Sequence, residues 1–328
     1  AASAPAPDLD AEARRIAAAA AASAAGPAVI PAWRDADRVV VLPIRGVVDM
    51  VSLSSLERRM ARAREMGADA IVIELDTPGG RVDAALDITD LLKDRGETPA
   101  NTVAWVRPRA LSAGTIIALA CREIVVASNC LMGDAAPIQV GLGMLQQMAP
   151  AERAKVEGPI LAEVKDSARR NAWDENLVQA FVSVGMRLWM IEHVRTGELA
   201  FVTAEEYERI FGEAPPTEIA STTPRAGAAP APGVRPRFSP ELAPEPGRGP
   251  EPSVESIRAE LEYQQSLPRT RDPLGPGDRA DWRLIRQVID DDQLLTIKEP
   301  EARAYGLAAA VIDTDEQLRA FFGASEVV

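Results

Sequence analysis

A serine at the start of an apolar run has the chemistry of a nucleophile. Ser112 lies in "RPRALSAGTIIALACREIVVAS" (107–128), between an expected turn and an expected helix of apolar side chains. Serine is also a preferred helix N-cap residue, because its oxygen accepts a hydrogen bond from the free N–H groups of the first turn. This segment alone leaves both interpretations of Ser112 open.

The stretch "IELDTPGGRV" (73–82) could stabilise a negative charge. It leads from a strand through Pro78, Gly79 and Gly80 into a helix. Two glycines allow close approach of a ligand and direct N–H groups outward, near the positive end of the helix dipole. The turn is therefore a candidate oxyanion site, with a simple tight turn as the alternative. It matches neither G-x-G-x-x-G nor a Walker loop, so a nucleotide phosphate site has little support.

A nucleophilic serine needs a base, commonly histidine and in some enzymes lysine. The single histidine, His193, falls in "LWMIEHVRTGELAFV" (188–202), whose alternation predicts a β-hairpin. Only four of the 36 basic residues are lysine, namely Lys93, Lys155, Lys165 and Lys298. Arginine stays protonated, whereas a desolvated lysine can lose its proton near neutral pH. A lysine, Lys155 among the four, is thus a candidate base, and a solvated surface charge is the alternative for each.

The composition is that of an acidic globular protein. The 328 residues are 47% hydrophobic and have a net charge of −13 without a run of Lys or Arg. Such a chain can form a sizeable core but offers no electrostatic surface for nucleic acid, which is not expected as a partner. Cys121 and Cys130 lack the spacing of a zinc site or a redox motif, so buried thiols are predicted.

The candidate residues lie in a part of the sequence where predicted strands and helices alternate. β-branched runs predict strands at 38–48, 69–76, 101–106 and 122–127, and apolar positions at helical spacing predict helices at 52–67 and 81–96 and after Ser112. Long helices are expected at 150–173 and 174–185. The order predicts an α/β fold with a mostly parallel sheet covered by helices, plus the β-hairpin.

Two regions depart from this patterning. Residues 1–36 are Ala- and Pro-rich and predict a flexible arm. Residues 213–252 contain eleven of the 26 prolines, and this composition predicts disorder within an insertion at 213–280. Ordered patterning returns at 281–323, which we expect to rejoin the first domain at 37–212, because so short a segment makes a marginal core by itself.

No segment is apolar enough to predict a membrane span. The chain begins with "AASAPAP" and without Met, which suits signal-peptide cleavage and equally a trimmed chain. The first of these interpretations predicts an exported or periplasmic protein.

Together these segments resemble the ClpP/crotonase-fold serine proteases of the NfeD and signal peptide peptidase A type. The matching stretches are "DTPGG" (76–80), "PRALSAG" (108–114), "GDAAPI" (133–138), "AKVEGPILAEVK" (154–165) and "LLTIKEPEARAYGLAAAVID" (294–313). The resemblance covers roughly 38–210 and 281–323. It implies a ClpP/crotonase-like fold of repeated β-β-α units.

The resemblance also implies the site and its chemistry. Ser112 would be the nucleophile and Lys155 the base of a Ser/Lys dyad, Gly79 and Gly80 the oxyanion hole, and no metal or cofactor would be needed. The implied substrate pocket consists of Pro78, Ala113, Pro137 and Ile138. An apolar cleavage site in a membrane-associated protein or peptide, a stomatin-like partner, membrane association and a homo-oligomer are implied as well.

Two other classes of function stay open. One is a catalytically silent scaffold with the same fold that binds a membrane or protein partner. The other is a crotonase-type acyl-CoA enzyme, which shares the oxyanion-hole logic but has no use for a Ser/Lys dyad.

Overall fold

Hydrogen-bonded strands form the centre of the fold, in a computed structural model that describes residues 30–94, 101–137, 139–141, 144–146, 150–216 and 269–328. The strands are β1 (Arg38–Arg45), β2 (Ala70–Thr77), β3 (Asn101–Leu111), β4 (Glu123–Val126), β5 (Leu131–Gly133), β6 (Gln139–Gly141), β7 (Met144–Gln146), β8 (Leu188–His193), β9 (Leu199–Thr203), β10 (Trp282–Ile289), β11 (Thr296–Lys298), β12 (Ala308–Val311) and β13 (Glu326–Val327). The helices are α1 (Met50–Glu65), α2 (Val82–Lys93), α3 (Ala113–Ala120), α4 (Pro150–Asn171), α5 (Glu175–Ala180), α6 (Ala204–Phe211), α7 (Glu299–Ala304) and α8 (Asp315–Phe322).

The main sheet has eight strands in the order β11-β5-β3-β2-β1-β13, with β4 paired to β3 and β12 paired to β4. All of these pairs are parallel except that of β11 with β5. The prediction of a mixed α/β fold with a mostly parallel sheet is therefore confirmed. Strands from the C-terminal segment occupy three places in this sheet, so they complete it instead of forming a separate one.

Both faces of the sheet are buried, which explains the continuous apolar strand β2. Along β2, Ile71 and Ile73 pack with the helical side chains of Leu56 in α1 and Ile88 in α2. The residue between them, Val72, faces a second cluster formed with α8. The opposite faces of one strand thus hold two layers of side chains in register.

The second layer is centred on Trp105 of β3. This side chain is 1% exposed, and its indole N–H donates to the carbonyl oxygen of Ile312 over 2.8 Å. Leu318 and Phe322 of α8 are fully buried in the same cluster. The C-terminal helix therefore covers the face of the sheet opposite α1 and α2.

The expected hairpin is present and has a third strand. β8 and β9 pair antiparallel, and β10 pairs antiparallel with β8 in a separate sheet. The alternation in 188–202 predicts the first two strands. β10 was not predicted as a partner, because its five middle residues are only half-buried and give a weak alternation.

The predicted flexible arm differs from the structure at its end. Arg34 forms an ion pair of 2.6 Å with Glu123, and Ala36 is 3% exposed. Arg34 and Ala36 therefore pack on the fold, since the Arg34 charge has a half-buried partner at the start of β4. Residues 1–29 lie outside the described residues.

The end of the predicted insertion also packs against the fold. Arg271 contacts Glu206 of α6 over 2.9 Å and Asp174, the N-cap residue of α5, over 3.5 Å. The region predicted to be disordered, 213–252, lies outside the described residues from 217 onward.

A buried charge cluster joins α2 to α4. The Lys93 ammonium lies 2.5 Å from Glu163 and 2.7 Å from Asp166, and its side chain is 9% exposed. Asp166 also accepts from Arg170 over 2.7 Å. Burial alone would raise the pKa of Asp166, but hydrogen bonds from Lys93 and Arg170 outweigh it and lower that pKa below its ordinary value.

We predict that Lys93→Met lowers the free energy of unfolding by about 3 kcal/mol, because it leaves the buried Asp166 and the half-buried Glu163 with one cation. Urea denaturation measures the difference. Arg62→Ala is the control, since the Arg62–Glu65 pair is exposed, and it should cost less than about 0.5 kcal/mol. Equal effects of the two substitutions would contradict the assignment of a buried cluster.

The same comparison has a defined pH dependence. A carboxyl group whose pKa is lowered by folding contributes stability above its ordinary pKa of about 3.9 and loses it as the pH falls through the lower folded value. The difference between wild type and Lys93→Met should therefore be full at neutral pH and shrink below about pH 4.

Candidate active site

The serine with an expected chemical role has a strained backbone. Ser112 joins β3 to α3 with φ 51° and ψ −118°. The left-handed region is uncommon for residues other than glycine and persists only where the surroundings determine it, often at functional sites. Ser112 is half-buried and stands at the N-cap position, but its side chain makes no capping hydrogen bond. The capping interpretation therefore has no hydrogen bond to support it.

The glycine turn lies directly against Ser112. A Cβ atom on Gly79 would stand 2.5 Å from the Ser112 Cβ and 3.1 Å from its Oγ. Gly79 also has φ 110°, which side chains rarely permit. Only glycine fits there, and β2 and β3 bring the two predicted segments together at the carboxyl edge of the sheet.

Gly80 is fixed by a different neighbour. A Cβ on Gly80 would lie 2.0 Å from the Val48 carbonyl oxygen. Val48 donates to the Gly79 carbonyl over 2.9 Å and accepts from the Arg81 N–H over 2.8 Å. The turn is therefore held from both sides, by Val48 and by Ser112.

Some backbone N–H groups at the turn and at the start of α3 have a hydrogen-bond acceptor in the protein, and others do not. The Gly79 N–H donates to the Oγ1 of Thr77 over 3.0 Å. In the part of the chain that the structure describes, the N–H groups of Gly80 and Ala113 donate to no protein acceptor. Ala113 is the first residue of α3, where helical N–H groups lack intrahelical partners. The fully buried Thr77 was missed from the sequence, since its role depends on a contact between backbone and side chain.

The four lysines have distinct environments. Lys155 lies in α4 and is exposed, as is Lys298, while Lys93 belongs to the buried cluster. Lys165 is half-buried, and its pKa is lowered mainly by burial, with Glu175 acting in the opposite direction. The described side chains therefore do not enclose Lys155 in a dry cleft within a single chain.

The residues of the implied pocket are described in part. Pro78 is exposed, whereas Ala113 and Pro137 are buried. Ile138 lies outside the described residues.

The other reactive side chains have structural roles. The His193 Nδ1 accepts from the backbone N–H groups of Arg195 and Thr196, and its ring packs edge-on against Trp282. His193 is the last residue of β8, in the predicted hairpin, and its ring is held by the turn that follows. Cys121 and Cys130 are buried free thiols, and burial raises the pKa of each to about 12.

None of the helices in the described ranges combines the length and apolar character that crossing a membrane requires. No cluster of three or more His, Cys, Asp or Glu side chains within those ranges could hold a metal ion.

The mostly parallel sheet and the strained serine beside a double-glycine turn agree with the family that the sequence matches. Residues 38–213 match the family described as NfeD1b, N-terminal domain. Because this match covers more than half of the sequence, the chain belongs to that family, and the resemblance noted in the sequence is confirmed.

Two curated relatives match part of the chain. Membrane protein NfeD1b of Bacillus subtilis (strain 168) is 35% identical over 136 residues, which are 42% of this chain and 29% of that protein. Membrane-bound protease PH1510 of Pyrococcus horikoshii is 29% identical over 171 residues, 51% of this chain and 37% of that protein. The chain thus spans about a third of the length of these relatives.

Solved structures include the 1510-N membrane-bound stomatin-specific protease as a lysine-to-alanine mutant in complex with a substrate peptide. It is 26% identical, covers 52% of this chain and 71% of its own, and has a TM-score of 0.40. A serine-to-alanine mutant of the same protease is 28% identical, covers 45% of this chain and 70% of its own, and has the same TM-score of 0.40.

We predict that Gly79→Ala destabilises the fold by about 3 kcal/mol, because it adds backbone strain and an overlap with Ser112. Gly306→Ala is the matched control, since Gly306 has φ 72° and open space around its Cβ position. It should cost about 1 kcal/mol from strain alone. Chemical denaturation of both variants measures the difference, and equal losses would disprove the close contact.

Proposed function

We propose that this chain is a serine peptidase whose nucleophile is Ser112. The Oγ attacks the scissile carbonyl carbon, and its proton passes to the neutral amine of Lys155. The tetrahedral intermediate collapses as Lys155 returns the proton to the leaving amine, and water then hydrolyses the acyl-enzyme by the same steps. No metal or cofactor takes part in this sequence.

The observation behind this proposal is the conformation of Ser112. A nucleophile on a sharp, strained strand-to-helix turn presents its hydroxyl at the edge of the sheet. Ser112 has this conformation, no capping bond, and the Gly79 turn in contact with its side chain. A serine with only a capping role would need neither the strain nor the contact.

The hydrogen bonds of the backbone N–H groups change which residues we assign to the oxyanion hole. The sequence indicates Gly79 and Gly80, but the Gly79 N–H already donates to Thr77. We assign the donors to Gly80 and Ala113, whose N–H groups lack a protein acceptor within the described residues. Ala113 also lies at the positive end of the α3 dipole, which favours the developing negative charge.

Lys155 is proposed as the base because the single histidine is committed to a turn. Lys155 is exposed in a single chain. A bound peptide or a second copy therefore has to cover its side chain before burial can favour the neutral amine. A homo-oligomer with the site near the subunit contact fits this requirement.

A non-catalytic scaffold is the second candidate, favoured by the same exposure of Lys155. In that case the domain would bind a membrane or protein partner through the family fold. Chemical labelling of Ser112 separates the two candidates.

The relatives suggest the substrate class. The related protease is described as membrane-bound and stomatin-specific, and one structure of it contains a substrate peptide. For this chain we propose a protein or peptide substrate with an apolar cleavage segment, a stomatin-like partner, and action at a membrane outside the cytoplasm.

The first test is covalent labelling with a fluorophosphonate probe. Wild-type protein should be labelled at Ser112 and Ser112→Ala should not, because the probe reacts with an activated serine hydroxyl. Mass spectrometry of the labelled peptide locates the adduct. The exposed Ser128 provides the control variant Ser128→Ala, which should label normally. A folded wild type that stays unlabelled would favour the scaffold.

The second test concerns the base. Lys155→Arg keeps the charge but cannot give up a proton, so the labelling rate should fall by about 100-fold or more while the fold persists. Lys298→Arg, another exposed lysine, should leave the rate within about twofold. If both variants label like wild type, Lys155 is an ordinary surface charge and the Ser/Lys mechanism is wrong.

A further inference from the structure

A second buried hydroxyl lies next to the nucleophile. Thr115, in the first turn of α3, is 0% exposed. Its Oγ1 lies 2.7 Å from the carbonyl oxygen of Ala110 and 2.9 Å from that of Gly133, and it accepts the Gly133 N–H over 2.9 Å. One side chain thus connects helix α3 with two strand ends.

Those strand ends flank Ser112. Ala110 lies two residues before it in β3, and Gly133 ends β5, where its carbonyl also accepts the Ser112 N–H over 2.9 Å. The Thr115 N–H in turn donates to the Ser112 carbonyl over 2.9 Å. The backbone of Ser112 is therefore held through its own N–H and its own C=O, and Thr115 takes part on both sides.

We propose that Thr115 is a positioning residue that holds Ser112 in its strained, reactive conformation. The inference rests on the proposed function of Ser112. A strained backbone persists only where neighbouring groups determine it. Without the Thr115 hydroxyl, the buried Gly133 N–H would lose this acceptor, and the strand end that holds the Ser112 N–H could shift.

A small shift has a large kinetic effect. A nucleophile displaced by about 1 Å can lose about 100-fold in rate, because the reacting atoms must be aligned. A threonine with only a packing role would affect stability and leave the reactivity of the folded enzyme unchanged. The two roles differ in what the hydroxyl does, so an isosteric substitution separates them.

The matched control is Thr89 of α2. It is also 0% exposed, but its hydroxyl donates to the Leu86 carbonyl within its own helix, over 2.7 Å. Thr89→Val therefore removes a buried hydroxyl of the same core without touching the strand ends beside Ser112.

The experiment compares the rate of fluorophosphonate labelling at Ser112 in Thr115→Val, Thr115→Ser and Thr89→Val. We expect a fall of about 100-fold for Thr115→Val, and rates within about threefold of wild type for the other two, since Thr115→Ser keeps the hydroxyl. A folded Thr115→Val that labels like wild type overturns the inference. So does a tenfold or larger loss in Thr115→Ser, which decides the question even if Thr115→Val does not fold.

Hydrogen–deuterium exchange keeps this test separate from the proposed function. If wild type is not labelled, the peptidase proposal fails. Exchange of the Ser112 N–H then decides the role of Thr115. Faster exchange in Thr115→Val than in wild type and Thr89→Val supports it, and unchanged exchange overturns it.

Discussion

The site depends on the close approach of two backbone segments at the carboxyl edge of the sheet. Gly79 stands so near the Ser112 side chain that an added Cβ would lie 2.5 Å from the serine Cβ. This approach requires glycine on one segment and a left-handed backbone on the other. β2 and β3, paired along their full buried length, supply the rigidity that keeps both in place.

The same strands explain why an unfavourable backbone conformation is stable. Two backbone N–H groups at the site have defined partners: the Gly79 N–H donates to the Thr77 Oγ1, and the Ser112 N–H donates to the Gly133 carbonyl oxygen. What stays without a protein acceptor among the described residues is the pair of amides on Gly80 and Ala113. Strain and free donors thus coincide at the place where the proposed mechanism puts the developing charge of the carbonyl oxygen.

The sequence predicts the sheet and its helices because buried positions are occupied by apolar side chains, which recur with the period of a strand or a helix. The proximity of Ser112 to the "DTPGG" turn is implied by the family resemblance that these two motifs carry. The positive φ of Ser112 and the commitment of the Gly79 amide to Thr77 do not follow, since both are set by tertiary contacts. The packing of Arg34 is missed for a similar reason: its partner, Glu123, is 89 residues away.

The scarcity of lysine does not by itself identify a base. Lys93 is as rare a choice as Lys155, yet it forms ion pairs with two carboxylates, those of Glu163 and Asp166. A base must give up its proton, and such a partner opposes that. Lys155 is exposed instead, so in a single chain water surrounds its charge. In the proposed mechanism, a bound peptide would both supply the substrate and remove water from Lys155, which couples recognition to activation.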